Sequence, residues 1–233
     1  MPESHYRVRS CASTDGLRQQ WPPPSCSAVV PAARTRARPP PSSLRGSLDH
    51  VAANDNTRAW VEYGRPKALL AANGGSPAKT PYGGASGYGE SDLASYAKLL
   101  PPLVGFDPTT ADVAVSAGQP PTHAGWLIGG VDASQIEQAL TKLGAKKDGA
   151  TLRLAPDNQL DLNGALSKQL QGPMANLNVV SADGTALRYG TSSAAVDLVG
   201  TSSGSTLGSD KTVTAVASSP APPSRNSPAT SYG

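Results

Sequence analysis

The stretch from Trp126 to Leu154 carries two hydrophobic periods in succession. In the first period, apolar residues recur at i, i+3, i+4 and i+7, the spacing of one helical face. They are Ile136, Ala139, Leu140 and Leu143. Behind them Leu152 and Leu154 alternate with polar residues, as in a strand with one buried face. The pattern therefore predicts a strand, a helix and then two more strands.

The ends of these predicted elements carry matching residues. Asp132 is a favourable helix N-cap, and Gln135 follows it at the capping-box distance. Gly144 can adopt the left-handed conformation that ends many helices. Asp148-Gly149 is a strong two-residue hairpin motif between the last two strands. Agreement among periodicity, caps and turn residues indicates a folded segment.

Weaker patterns predict further elements along the chain. They are a strand over Ala59–Tyr63, a helix from Pro66 to Leu70, a helix capped by Ser91 or Asp92 and ended by Pro101-Pro102, a strand at Val113–Val115, a helix at Ala165–Leu170, a hairpin at Asp183-Gly184, a strand at 196–200, and a strand or helix at 211–217. The Gly-, Ser- and Tyr-rich residues 74–90 indicate a loop.

These elements predict an α+β fold, with a mainly antiparallel sheet and two or three helices packed on one face. The strand–helix–strand–strand order at 126–154 corresponds to half of a ferredoxin-like unit. A doubly wound sheet is the alternative. It is disfavoured because Asp-Gly hairpins join antiparallel neighbours.

Composition divides the chain into three parts. Residues 1–46 are rich in Arg, Pro, Ala and Ser and are expected to be disordered, as are residues 219–233. Residues 47–218 are expected to form a single domain. The chain contains 22 prolines, 24 glycines and one Phe, so its core must consist mainly of aliphatic residues. There is neither an apolar run long enough to span a membrane nor a recognisable signal peptide in the chain as written.

Net positive charge and both cysteines are concentrated in the N-terminal part. Residues 1–46 hold seven arginines and two acids, and both cysteines, Cys11 and Cys26, lie there. The remainder is close to neutral and gives no electrostatic reason to bind nucleic acid. A nucleic-acid-binding arm around residues 34–38 is kept as an alternative function, with a steep salt dependence as its expected sign.

Catalytic motifs are few, and no catalytic, cofactor-binding or metal-binding residue is assigned. Gly200–Gly204 matches the G-x-S-x-G pattern around a nucleophilic Ser202, but no histidine follows it. His123 could act as a general base in a loop, with Asp112 as the nearby acid. Residues 159–164 resemble half of a calcium loop, but Gln159 stands at the first ligand position and Leu170 at the twelfth, where carboxylates are required, which favours a simple turn.

Three passages together resemble a group of uncharacterised actinobacterial secreted or lipid-anchored proteins. They are SLDHVAANDNTRAWVEYGRPKALL (47–70), GFDPTTADVAVSAGQPP (105–121) and GWLIGGVDASQIEQALTKLGAKKDGATL (125–152), and the resemblance covers about residues 47–200. It implies an extracellular or cell-envelope location and supplies no catalytic residue. Members of that group are expected to begin with an export signal and a lipid-modified Cys, where this chain has Arg- and Pro-rich sequence.

The first functional hypothesis is therefore a non-enzymatic cell-envelope or extracellular domain that binds a partner protein or a surface component. The alternatives are a hydrolase that uses Ser202 or His123, and a nucleic-acid binder that uses the Arg-rich tail.

The composition changes abruptly at Gly46–Ser47, where the resemblance also begins. Two interpretations of residues 1–46 are open: a genuine disordered tail, or out-of-frame translation of a GC-rich gene. The same two interpretations apply to about residues 219–233. Translating the other frames of the coding DNA upstream of codon 47 distinguishes them, because a displaced export signal would show an apolar run of about 7–15 residues.

Overall fold

The computed structural model describes residues 43–75, 87–201 and 204–219, all within one compact unit, Pro39–Gly233. Its centre is an antiparallel sheet of seven strands in the order β1-β2-β3-β7-β6-β5-β4. The strands are β1 (Val61–Gly64), β2 (Val113–Ala117), β3 (Ala124–Ile128), β4 (Lys146–Asp148), β5 (Thr151–Arg153), β6 (Val179–Ala182) and β7 (Ala186–Gly190). The predicted fold class, α+β with a mainly antiparallel sheet, is confirmed.

Short helices surround the sheet in the described part of the chain. They are α1 (Leu44–Leu48), α2 (Asp55–Ala59), α3 (Pro66–Ala72), α4 (Ser91–Ala94), α5 (Leu100–Val104), α6 (Ala133–Lys142), α7 (Ala165–Leu170), α8 (Ser193–Val196) and α9 (Lys211–Ala217). Two single 3₁₀ turns, Pro108–Thr110 and Leu207–Ser209, complete the set.

The predicted segment around α6 has the expected elements and ends. The Asp132 carboxylate accepts a hydrogen bond from the Gln135 backbone N–H at 3.0 Å, so the predicted N-cap is present. At the other end Gly144 has φ +93°, and the Ala145 N–H donates to the Leu140 carbonyl at 2.9 Å. These contacts satisfy backbone groups that a helix end otherwise leaves without a partner.

The strand–helix–strand–strand order is confirmed, with a long crossover. α6 connects β3 to β4, and β7, β6 and β5 lie between those two strands in the sheet. Four successive antiparallel pairings separate β3 from β4, so the two run in the same direction. In a ferredoxin-like unit the corresponding crossover passes over a single strand. α6 therefore lies across the middle of the sheet and buries Ile136 and Leu140 against it.

Both predicted hairpins are present. Asp148 pairs with Thr151 across Gly149-Ala150, and Gly149 has the positive φ of +60° that this turn requires. In the β6–β7 hairpin the Asp183 carboxylate accepts from the backbone N–H groups of Thr185 and Ala186, at 2.9 and 2.8 Å. These two turns account for two of the six antiparallel pairings in the sheet.

The two faces of the sheet hold separate apolar clusters. Alternate strand residues such as Leu127 and Leu187 pack with α5, α6 and α7 on one face, with the short α4 beside them. Their neighbours Trp126 and Ile128 point to the opposite face, where α1, α8 and the Leu207–Ser209 turn cover them. The helix-covered face was predicted, whereas the second thin layer was not.

Two predicted elements are wrong. The helix predicted from a Ser91 or Asp92 cap to Leu100 is not continuous: α4 has Glu90 at its N-cap position and stops at Ala94, and Pro101-Pro102 lie in the first turn of α5. Proline is compatible with that position because the first-turn N–H groups of a helix donate to no intrahelical carbonyl. Residues 196–200 are not a strand, since α8 ends at Val196 and Val199 forms only a single bridge to Val51.

Two helices near the ends of the described chain agree with the sequence. The segment 211–217 takes its helical alternative, capped by Asp210, and α3 begins at Pro66 as predicted. The predicted junction at Ser47 falls inside α1, whose Leu44 packs on the second cluster. Residues 1–42 and 220–233 lie outside the described residues, as does most of the predicted loop 74–90. No helix among the described residues is both long enough and apolar enough to cross a membrane.

Candidate functional site

The floor of the candidate site is a cross-strand row on the α6 face of the sheet. Glu62 pairs with Ser116, Ser116 with Gly125, and Gly125 with Tyr189, one residue from each of β1, β2, β3 and β7. Farther along the sheet the same row becomes apolar, with Val180 and Leu152. The polar half of the row therefore lies on the β1 side of the sheet, near α4, and the apolar half lies beneath α6 and α7.

Gly125 leaves the space that the Tyr189 side chain occupies. A Cβ atom at Gly125 would overlap the Cζ atom and the hydroxyl oxygen of Tyr189. The fully buried tyrosine ring therefore lies across β3. This arrangement carries its hydroxyl group from β7 toward α4.

The Tyr189 hydroxyl donates a hydrogen bond to the Asp92 Oδ1 atom at 3.1 Å. Asp92 comes from α4, 97 residues away in the chain. Its side chain is only 10% exposed, and its Oδ2 atom is enclosed without a hydrogen-bond partner among the described residues. Burial raises the pKa of the Asp92 carboxyl, and His123 and the Tyr189 hydroxyl partly offset that rise.

His123 faces the free oxygen of Asp92. Its Nδ1 atom lies 3.7 Å from Asp92 Oδ2, within ion-pair distance but beyond a hydrogen bond. The residue immediately precedes β3, and paired backbone contacts with Thr191 hold it in place: the His123 N–H reaches the Thr191 hydroxyl at 3.3 Å, and the Thr191 N–H reaches the His123 carbonyl at 3.1 Å.

A cleft with two lobes opens beside this pair. The first lobe has a volume of about 480 Å³ and is lined by Trp60, Ser91, Asp92, Gly118, Gln119, Pro120, His123 and Asn176. The second, about 380 Å³, is lined by Asp92, Tyr96, Pro120, Pro121, Asn158, Leu160, Pro173, Met174, Ala175, Asn176 and Thr191. Asp92, Pro120 and Asn176 line both lobes, so the lobes meet at the buried carboxylate. Volumes of this size are typical of small-molecule sites.

Further carboxylates lie around the cleft. Glu62 accepts hydrogen bonds from the Ser91 hydroxyl at 2.6 Å and the Ser116 hydroxyl at 3.4 Å. Glu90 is 3% exposed, and burial, with smaller contributions from Asp107 and Asp92, raises its pKa to about 7. Among the described residues that line the two lobes there is no lysine or arginine. The site is therefore rich in acids.

The structure corrects the sequence-based choice of acid for His123. Asp112 is not beside His123: it is half exposed and pairs with Lys67 at 3.0 Å. The acid beside His123 is Asp92, which the sequence assigned only as a possible helix cap. No local motif connects Asp92, His123 and Tyr189, because their proximity arises from the sheet order and from the empty space at Gly125.

The other sequence candidates lie elsewhere. Ser202 and the Arg-rich residues 34–38 are outside the described residues. His50 packs on Trp126, on the opposite face of the sheet, with ring centroids 5.4 Å apart. At the calcium-like segment Asp161 accepts from the Asn163 backbone N–H at 3.2 Å, as in a turn, and Leu170 is buried in the core. No cluster of three His, Cys, Asp or Glu side chains suited to a metal occurs in the described part of the chain.

Comparison with known proteins returns no family model, no curated protein and no solved structure that matches this chain. The functional argument therefore depends on the cleft itself.

Proposed function

We propose that the described domain is a non-enzymatic binding domain of the cell envelope or extracellular space, and that the two-lobed cleft is where its partner protein or surface component binds. The observation that carries this proposal is the buried Asp92 carboxylate, which lines both lobes and whose Oδ2 atom accepts no hydrogen bond among the described residues, with His123 Nδ1 3.7 Å away. A buried polar atom without a partner is unfavourable, and a ligand that pairs with it gains affinity from that deficit. The envelope location comes from the resemblance alone.

The surroundings of His123 favour binding over catalysis. The Ser91 hydroxyl lies in the same lobe, but it donates to Glu62. No described side-chain hydroxyl or thiol makes a hydrogen bond to the His123 ring. An activated nucleophile requires such a contact with its base. The cleft thus has the features of a recognition site without a positioned nucleophile.

The binding proposal can be tested by capture from a cell-envelope extract with the immobilised full chain. Asn176 lines both lobes, so Asn176→Phe should fill the junction and abolish specific capture. Asn163→Phe is the matched control, because Asn163 is exposed in the turn before α7. A component held by the wild type and by N163F, but lost with N176F, is the expected result. Equal retention by N176F would contradict a role for the cleft.

A second candidate function, hydrolysis with His123 as general base, is favoured by one observation. Asp92 Oδ2 faces Nδ1 of His123 at 3.7 Å, the side from which a carboxylate can orient an imidazole whose other nitrogen acts on a water molecule. In this scheme Asp92 takes the role first given to Asp112.

A panel of generic ester and peptide substrates tests that candidate. Turnover that disappears in His123→Ala and Asp92→Asn, and persists in His50→Ala and Asp112→Asn, would establish hydrolysis and displace the binding proposal. Ser202→Ala, whose position lies outside the described residues, should be assayed beside them. We expect no turnover above the uncatalysed rate in the wild type.

A further inference from the structure

We infer that the cleft binds an organic ammonium group, with the cation beside Asp92 and an apolar part against Trp60 and Pro120. This inference rests on the proposed binding function and names the chemistry of the ligand. It follows from the buried carboxylate, the charge of the surrounding residues and the apolar walls.

The charge of the residues around Asp92 favours a cation. Asp92 lines both lobes and is nine-tenths buried, with Oδ1 held by Tyr189 and Oδ2 facing His123 Nδ1 at 3.7 Å without a hydrogen bond. Glu62 and Glu90 are close enough to influence the ionisation of the same tyrosine. Since neither lobe is lined by lysine or arginine, His123 is the only described basic side chain along the cleft. A buried carboxylate in such surroundings is strongly stabilised by a cation.

The second argument is the apolar lining. Trp60 is 45% exposed at the rim of the first lobe, where its indole can pack on a ligand and attract a cation. Pro120 lines both lobes, and the second adds Tyr96 and Met174. A metal ion is not indicated, because no cluster of three His, Cys, Asp or Glu side chains that could hold one occurs among the described residues. An ammonium group with a hydrocarbon part suits both the carboxylate and the walls.

The groups around Asp92 make this binding depend on pH. They are Glu62, Glu90, His123 and Tyr189, with Asp107 next to Glu90. Acidification protonates Glu90, whose pKa burial raises to about 7, and Asp92, whose pKa burial also raises. Each change opposes a cation. Affinity for an ammonium ligand should therefore rise as the pH is raised through about 7, where Glu90 ionises.

Three compounds of nearly equal shape test the inference on the full chain: phenethylammonium, phenethyl alcohol and phenylacetate. Dissociation constants can be measured by NMR titration of the Trp60 indole N–H. We expect phenethylammonium to bind at least about tenfold more tightly than the alcohol, and phenylacetate more weakly than both. Asp92→Asn should remove that preference, whereas Asp112→Asn, which alters an exposed carboxylate of the same type, should keep it.

A fourth compound, Nα-acetyl-lysine amide, distinguishes two sources of the ammonium. Binding of this compound with the same dependence on Asp92 would assign a protein lysine as ligand, and binding of phenethylammonium alone would assign a free amine. Either result supports the inference.

Other outcomes overturn it. If the alcohol or phenylacetate binds as tightly as phenethylammonium and perturbs cleft residues, the binding function stands and the ammonium inference is wrong. If none of the compounds binds, the ammonium inference is also wrong, and the N176F capture experiment decides separately whether the cleft binds anything.

Discussion

Gly125 and Tyr189 determine where the functional groups meet. The tyrosine ring lies where a side chain at residue 125 would be, and its hydroxyl holds Asp92. Asp92 in turn faces His123. Two of these residues are strand positions that would otherwise carry ordinary core side chains, so the polar site is built directly on the hydrophobic sheet.

Gly125→Ala should therefore destabilise the protein by about 1–3 kcal/mol, because the new methyl group overlaps a fully enclosed ring. Urea unfolding monitored by circular dichroism measures the change. Gly184→Ala is the control, since a Cβ atom there would meet no atom within 4 Å. Equal stability of G125A and G184A would show that the ring does not lie across β3.

Glu90 should make stability depend on pH. Its pKa is raised from 4.5 to about 7, so the folded state binds this proton more tightly than the unfolded chain. The free energy of unfolding should therefore fall as pH rises from about 4.5 to about 7, by up to about 3 kcal/mol. Glu90→Gln should remove this decrease and be the more stable form above about pH 7.

The control for this prediction is Glu137→Gln, which changes a half-exposed carboxylate paired with Lys147. E137Q should keep the wild-type pH profile in urea unfolding measured across the same range. If the free energy of unfolding of the wild type instead rose relative to that of E90Q between these pH values, the pKa of Glu90 would not be raised in the folded state.

At the scale of elements, local rules explain which segments were predictable. α6 and the two Asp-Gly hairpins carry their caps and turn residues within a few positions, and the structure confirms them. The prediction of one helix ended by Pro101-Pro102 was wrong because proline fits the first turn of a helix as well as it follows the last turn. The prediction of a strand at residues 196–200 was wrong because a short apolar run is as typical of a buried helix end as of a strand.

Asp132→Ala tests the best-supported element. Loss of its hydrogen bond to the Gln135 N–H should lower the free energy of unfolding by about 1 kcal/mol. Ser134→Ala, an exposed change in the same turn, should stay within about 0.5 kcal/mol of the wild type. If D132A and S134A unfold at the same urea concentration, the cap does not contribute as described.

At the scale of the whole molecule, the cleft is a product of topology. Asp92 precedes β2, His123 lies between β2 and β3, and Asn176 precedes β6, so three separate connections meet at one end of the sheet. Sequence reasoning identified His123 but paired it with Asp112, its nearer neighbour along the chain. Sequence spacing alone could not identify Asp92 as the partner of His123. Their contact depends on the order of the strands and on the burial of the Tyr189 side chain.

Binding of a ligand in this cleft can be measured by amide NMR of the isotopically labelled full chain. The chain would be titrated with a small-fragment set that contains cations, anions and neutral compounds. We expect fragments whose shift changes concentrate on Trp60, Ser91, Gly118 and Asn176, and which lose those changes in N176F but keep them in N163F. Fragments that bind only elsewhere, or that perturb N176F as they do the wild type, would contradict it.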